Sequence, residues 1–280
     1  MSKKKKKRKI PLPLLPEGVT VVDTHCHLDM EPLAQECGSV IERAVVSGVT
    51  RMITIGIDFE SSKKAVDLAA AYEGVYAAVG VHPHNVRDVT DNHYRELIKL
   101  AGRTEVVAWG EIGMDLFKQY EPPKLQKEHF LRQIKIAKDV ALPLIIHDRE
   151  AHSDVLAGLL EYAPFPAGGV MHCFSGDAEL AARVIDLGFY VSIPGVVTFN
   201  KAELLQDAVR QVPLSRLLLE TDAPFLAPSP KRGKSNEPAF VLYTAQKVAE
   251  LKGVTLEEVA RKTTLNAKAL FGFTSLNFAL

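Results

Sequence analysis

Three cysteines in 280 residues, at positions 26, 37 and 173, are too few and too scattered for a disulfide framework. A reducing compartment, the cytoplasm, is the expected setting. Long apolar runs are missing as well. Nothing approaches the roughly 20 residues a membrane span needs, and Ile10 to Leu15 is short and broken by Pro11 and Pro13, unlike a signal peptide. No membrane association is expected. Net charge is zero, so nothing global marks a binder of nucleic acid or lipid. No obligate protein partner is evident. A Gly-rich phosphate loop is also absent after the first strand-like run, which argues against an open doubly wound sheet.

The zero net charge hides an asymmetry. Residues 3–9, Lys-Lys-Lys-Lys-Lys-Arg-Lys, hold seven of the 34 basic residues and leave the remainder with a net of −7. A block of like charge without apolar partners is expected to stay solvated and disordered, here over residues 1–15. A nucleic-acid-binding arm or a nuclear-localisation-like signal is the alternative reading. Residues 16–280 contain no linker-like stretch and are expected to form one domain.

What is present, at 47% hydrophobic, is an alternation of short apolar runs with helical patterns. Expected strands cover 20–27, 52–57, 75–81, 106–111, 143–147, 169–174, 189–193 and 217–222. Helices are expected over 33–47, 61–72, 91–101, 122–141, 151–162, 177–187, 201–212, 239–251 and 255–270. Eight strands alternating with helices in a chain of this length predict a (β/α)8 TIM barrel.

Polar residues punctuate the carboxyl ends of these runs: His25 and His27 on the first, Glu111 on the fourth, His147 on the fifth, His172 on the sixth, Asp222 on the eighth. In a strand, side chains two apart share a face, so His25 and His27 point one way and Cys26 the other. Any one of these residues alone reads as a buried polar group satisfied by a neighbour. Six on five strand ends that meet at one barrel rim do not, because burying them unpaired is costly. A mixed imidazole and carboxylate set favours a divalent ion. Six ligands exceed what one tetrahedral ion uses, so two ions sharing the Glu111 carboxylate are expected. Gly110 and Gly113 leave backbone room beside that residue. His93, His129 and His152 fall on helices and read as locally bonded, and the lone Trp109 as core.

The chain resembles the TatD family of metal-dependent deoxyribonucleases, within the wider amidohydrolase-like barrels. The stretches that carry the resemblance are Asp23-Thr24-His25-Cys26-His27-Leu28-Asp29, Gly80-Val81-His82-Pro83-His84 and Gly110-Glu111-Ile112-Gly113-Met114-Asp115. They continue with His147-Asp148-Arg149, His172-Cys173-Phe174-Ser175-Gly176, Glu220 to Pro228, and Arg232 to Pro238. The resemblance implies that His25, His27, Glu111, His147, His172 and Asp222 hold two divalent ions, magnesium, manganese or zinc. It implies that Asp222 is also the general base, with Glu111 completing the catalytic pair, and that His82, His84, Arg149 and Arg232 lie near substrate phosphate. The implied activity is hydrolysis of DNA phosphodiesters, as an exonuclease on single-stranded or frayed ends. The alternative is a two-metal amide or ester hydrolase on the same barrel, including one that cleaves aminoacyl-tRNA esters. One departure is Leu116, where the family often carries an aromatic residue.

Overall fold

The computed structural model describes residues 10–118 and 120–273. The first half runs β1 Val21–Cys26, α1 Cys37–Val46, β2 Val49–Ile55, α2 Phe59–Ala71, β3 Val75–Val79, α3 Asp91–Ala101, β4 Val106–Asp115 and α4 Pro123–Asp139. The second half runs β5 Leu144–Arg149, α5 His152–Tyr162, β6 Gly169–Met171, α6 Ala178–Asp186, β7 Tyr190–Ile193, α7 Glu203–Gln211, β8 Leu217–Leu219, α8 Val241–Lys252 and α9 Leu256–Phe271. The strands lie side by side in chain order, every pair parallel. Past the end of β8 the chain closes on β1 through a Cys26–Ala223 bridge. Asp222 N donates to His25 O at 2.9 Å, and His27 N to Ala223 O at 2.7 Å. The fold is the TIM barrel that the alternation predicts.

Local chemistry accounts for the elements. Asp58 and Thr90 each accept from the backbone N–H three residues on, and so start α2 and α3. Pro123 opens α4 at the position where its missing N–H costs nothing. One apolar layer fills the space between strands and helices, with Val21, Cys26, Met52, Trp109, Ile112 and Ile146 among its members. A second lies inside the barrel, where Val22, Ile53, Ile55, Ala78, Ala108, Ile145, Val170 and Leu218 meet. Leu270, Phe271 and Phe273, at and just beyond the end of α9, pack against this inner layer.

Three strands end three or more residues from where they are expected to, the others within two. β6 stops at Met171 and β8 at Leu219: His172 N and Glu220 N still donate to Ile146 O and Ile193 O, but the donor after each turns to a side chain. Cys173 N donates to the Glu220 carboxylate (2.8 Å) and Thr221 N to Asp23 (2.8 Å). β4 instead runs on to Asp115, pairing with β5 as far as Arg149. Gly113 permits this: its φ is +148°, and a Cβ there would stand 1.9 Å from His147 O.

The Lys-rich segment 3–9 lies outside the described residues, as do residues 1 and 2. From Ile10 onward the expected tail has contacts. Tyr243 donates its hydroxyl to Ile10 O at 3.0 Å, and Leu12 and Leu15 pack against the core while Ile10 and Leu14 stay exposed. Among the described residues, no helix is long and apolar enough to cross a membrane.

Candidate metal centre

Two register shifts aim the central side chains. In β1, Asp23 pairs with Met52 but Cys26 with Thr54, so three steps on one strand match two on the other. In β4, Trp109 pairs with Leu144 but Ile112 with Ile146, the same mismatch. An extra residue of this kind is a bulge, which re-aims the side chains it carries. Trp109 and Ile112 both face the helices, and Glu111 between them enters the barrel. Gly110 sits at this bulge because a Cβ there would stand 2.6 Å from Ile145 Cβ. His25 and His27 alternate with Cys26, which faces outward and donates its thiol to Ile53 O at 3.4 Å.

Glu111 stands in the middle. Its Oε1 lies 2.6 Å from His147 Nδ1, 3.0 Å from His172 Nε2 and 3.7 Å from His82 Nε2. Its Oε2 lies 3.4 Å from His25 Nε2. On the far side of His25, Asp222 Oδ1 is 3.7 Å from His25 Nε2 and 3.5 Å from His27 Nε2. Asp222 reaches inward from a left-handed backbone position (φ 55°), which Asp tolerates better than most residues. The six residues singled out on strand ends therefore form one cluster, with His25, His147 and His172 against Glu111, and Asp222 and His27 beyond His25.

The charges explain one another. Burial alone would raise Glu111, but the imidazoles of His172, His82 and His147 outweigh it and hold the carboxyl well below its ordinary range. Burial likewise opposes protonation of His172, yet Glu111 and Glu220 carry it well above its usual value. His147, against burial, is pushed up to about 9 by Glu111 and Asp115. His25 goes down, through burial and then the charge of His172, and His82 goes well down, through burial and then His147. Against its own burial, Asp222 is lowered by His27, His172 and His25.

Three carboxylates of the site carry no role in the sequence reading. Asp115 Oδ2 lies 3.3 Å from His147 Nε2 and 3.0 Å from His84 Nε2. Glu220 Oε1 accepts from Cys173 N and stands 3.1 Å from His172 Nδ1, near but not aligned for a hydrogen bond. Asp23 ties β1 to the chain beyond β8 through Thr221 N and Oγ1, and burial pushes it up to about 8. Asp115 and Glu220 back the imidazoles as orienting partners do in metal sites. Both were in view, in Gly-Met-Asp and Glu-Thr-Asp, without a spacing that marks such a role.

The four residues assigned to phosphate separate into two pairs. His82 is 8% exposed and sits inside the cluster, 3.3 Å from His147 Nδ1, while His84 reaches Asp115 just above it. Arg149 and Arg232 are exposed at the rim, stacked over Phe117 (4.3 Å) and Phe199 (4.8 Å) respectively. Cys173 lies past the end of β6 in a left-handed conformation (φ 45°), so strand alternation does not place it in the helix layer. His129 bonds to Tyr94 Oη, His93 to the Thr90 cap and His152 to Asp148, as expected of helix histidines. Trp109 is fully buried core.

The donors fit divalent cations. Both ring nitrogens of His25 are buried without a hydrogen-bond partner, a costly arrangement that an ion would relieve. Among the described residues, three sets bring their donor atoms within 4.8 Å of one another: His25, His27 and Asp222; His82, Glu111 and His147; His25, His172 and Glu220. Imidazole with carboxylate suits zinc or manganese.

A family model described as TatD-related DNase matches residues 22–272. YabD of Bacillus subtilis, named an uncharacterized metal-dependent hydrolase, is 44% identical over 249 residues, covering 89% of this chain and 98% of the relative. YcfH of Escherichia coli K12, named in the same way, is 42% identical over 254 residues, covering 90% and 95%. The crystal structure of YjjV, a TatD homologue from Escherichia coli K12, superposes with a TM-score of 0.86 at 32% identity, covering 91% of this chain and 98% of that one.

Proposed function

This chain belongs to the TatD-related DNase family, and from that premise we propose that it hydrolyses phosphodiesters at single-stranded or frayed DNA ends. It is a metal-dependent hydrolase. The observation that carries the proposal is the position of Glu111, with histidines on β1, on β5 and just past β6 within 3.4 Å of its two carboxylate oxygens. Such a carboxylate suits a bridge between two ions, the arrangement that clamps attacking and leaving oxygens in phosphoryl transfer.

His25, His27 and Asp222 would hold one cation, His147 and His172 the other, with Glu111 between them. When bound, the cations lower the pKa of water toward neutrality and offset charge on phosphate oxygens. The protein's residues do the rest. Asp222 stays ionised at neutral pH and can accept the proton of the attacking water. Asp115 and Glu220 orient His147 and His172. Arg149 and Arg232, exposed on the rim, meet phosphates outside the centre. The chain outside residues 3–9 carries net −7, which suits gripping a strand end at a compact rim better than a long duplex groove. Free cysteines at 26, 37 and 173 fit a reducing, cytoplasmic setting.

The test is a panel of end-labelled single-stranded DNA, duplex DNA, RNA and aminoacylated tRNA, with magnesium, manganese or zinc and with chelator. The expected result is progressive shortening of single-stranded DNA that chelator abolishes. Deacylation of the tRNA with the DNA left intact would move the protein to the ester hydrolases of this barrel.

A further inference from the structure

The loop after β4 carries two large aromatic side chains that the metal centre does not use. Phe117 is 53% exposed and Tyr120 60%. Their exposure is built in. Asp115 Oδ1 accepts from Phe117 N (3.1 Å) and Lys118 N (2.8 Å), while the other oxygen of the same carboxylate faces His147 and His84. Buried Gln126 joins the two ends of the loop, donating to Asp115 O (3.1 Å) and Glu121 O (2.8 Å) and accepting from Asp115 N (2.8 Å). The backbone beside Phe117 is thus held by the carboxylate that backs the centre's histidines, and the backbone after Tyr120 by Gln126.

Their neighbours are cationic. The Arg149 guanidinium carbon lies 4.3 Å from the centre of the Phe117 ring, and Lys118 Nζ lies 6.0 Å from both rings. Tyr120 meets His84 edge-on at 4.7 Å, which joins the loop to the centre. Aromatic faces beside cations are what single-stranded nucleic acid requires, since unpaired bases stack while the backbone follows positive charge. A duplex keeps its base faces inside its own stack.

We infer that Phe117 and Tyr120 form a stacking platform for unpaired bases next to the phosphate being cleaved, with Arg149 and Lys118 beside that backbone. The inference rests on the phosphodiesterase reading above and deepens it by assigning the residues that hold unpaired bases.

The experiment compares a short single strand bearing bases with the same strand built from abasic tetrahydrofuran units. Wild type, Phe117→Ala, the Phe117→Ala/Tyr120→Ala pair and Phe117→Trp are each assayed for KM and kcat, with thermal melts to establish folding. In the double variant KM for the base-bearing strand should rise about 5- to 150-fold. KM for the abasic strand should not rise, and Phe117→Trp should retain wild-type behaviour. Equal losses on both strands, or an unchanged KM on the base-bearing one, would overturn the platform and leave the phosphodiesterase standing. Wild-type failure on both strands would remove the phosphodiesterase reading and the platform with it. Wild-type affinity for both strands alike would point to an apolar partner on these rings instead.

Discussion

The two ends of the barrel use the same strands for opposite purposes. Toward the amino-terminal end, Val22, Ile53, Ala78, Ala108, Ile145 and Leu218 meet, with Phe271 and Phe273 packed against them. Toward the carboxyl end, the strands and the turns that follow deliver His25, His27, Glu111, His147, His172 and Asp222, polar groups whose neighbouring atoms stand 2.6 to 3.7 Å apart. In β1, only Asp23 and Thr24 separate the hydrocarbon of Val22 from the imidazole of His25. The lower layer is shaped to exclude water, whereas the upper one gathers imidazoles and carboxylates that can bind an ion. Stability and chemistry should therefore respond to different substitutions.

Asp222→Asn would separate the two ends most widely. It keeps the shape of the side chain and removes the proton acceptor, so turnover should fall by about 10²–10⁴-fold in steady-state cleavage assays. The metal-free protein should also melt somewhat lower at neutral pH, since Asp222 is stabilised as an anion by His27, His172 and His25. Its depressed pKa makes that contribution present above the ordinary carboxyl value and lost as pH falls below it. The difference in melting temperature between variant and wild type should accordingly shrink toward pH 3. A variant keeping more than about a tenth of wild-type turnover would show that Asp222 is not the base.

Phe271→Ala is the converse. Truncating a buried aromatic costs about 3–5 kcal/mol, read as a lower denaturation midpoint. Turnover per folded molecule should stay within a factor of about two, because Phe271 packs in the inner layer away from the ligands. Loss of turnover in the folded variant would mean that the two ends are coupled.

Metal loading sharpens the contrast through pH. His147, pushed up to about 9, and His172, raised well above its usual value, hold protons at neutral pH in the metal-free protein. Both must be neutral to bind an ion, as must His27, which Asp222 also raises, so loading at pH 7 should release at least two protons per chain, measurable by calorimetry in buffers of different ionisation enthalpy. Apparent affinity should rise with pH up to about 9. Uptake without proton release would contradict the charge assignment.

The smallest effect is expected outside both ends. Deleting residues 1–9 should leave turnover on short oligonucleotides within a factor of about two. Binding to long DNA at low salt should weaken, because seven cations add a screened, non-specific attraction. A collapse of turnover on the short substrate would place that segment in the site.

The difference between the ends also explains what could be read in advance. Apolar runs of strand length closed by His, Glu or Asp disclosed the barrel and its six central residues, since both periodicity and terminal polar groups are local signals. The bulges at 23–26 and 109–112 were not legible, because a bulge is a property of a strand pair. Asp115, Glu220 and Asp23 were missed for a related reason. Each acts on a residue of another strand, and Asp23 reaches Thr221, 198 positions away. The ends of β6 and β8 were placed too late because Cys-Phe and Thr-Asp read as strand, whereas the N–H groups of Cys173 and Thr221 go to carboxylates. The overrun came from the same missing partners.

The most direct test of the account is to count the ions the polar end holds. Protein purified without chelator, then titrated with manganese while turnover on labelled single-stranded DNA is followed, should saturate at about two ions per chain, with full activity only at the second. Glu111→Gln should lower that stoichiometry and activity together. Full activity at one bound ion, or an unchanged stoichiometry in Glu111→Gln, would contradict a centre bridged by Glu111.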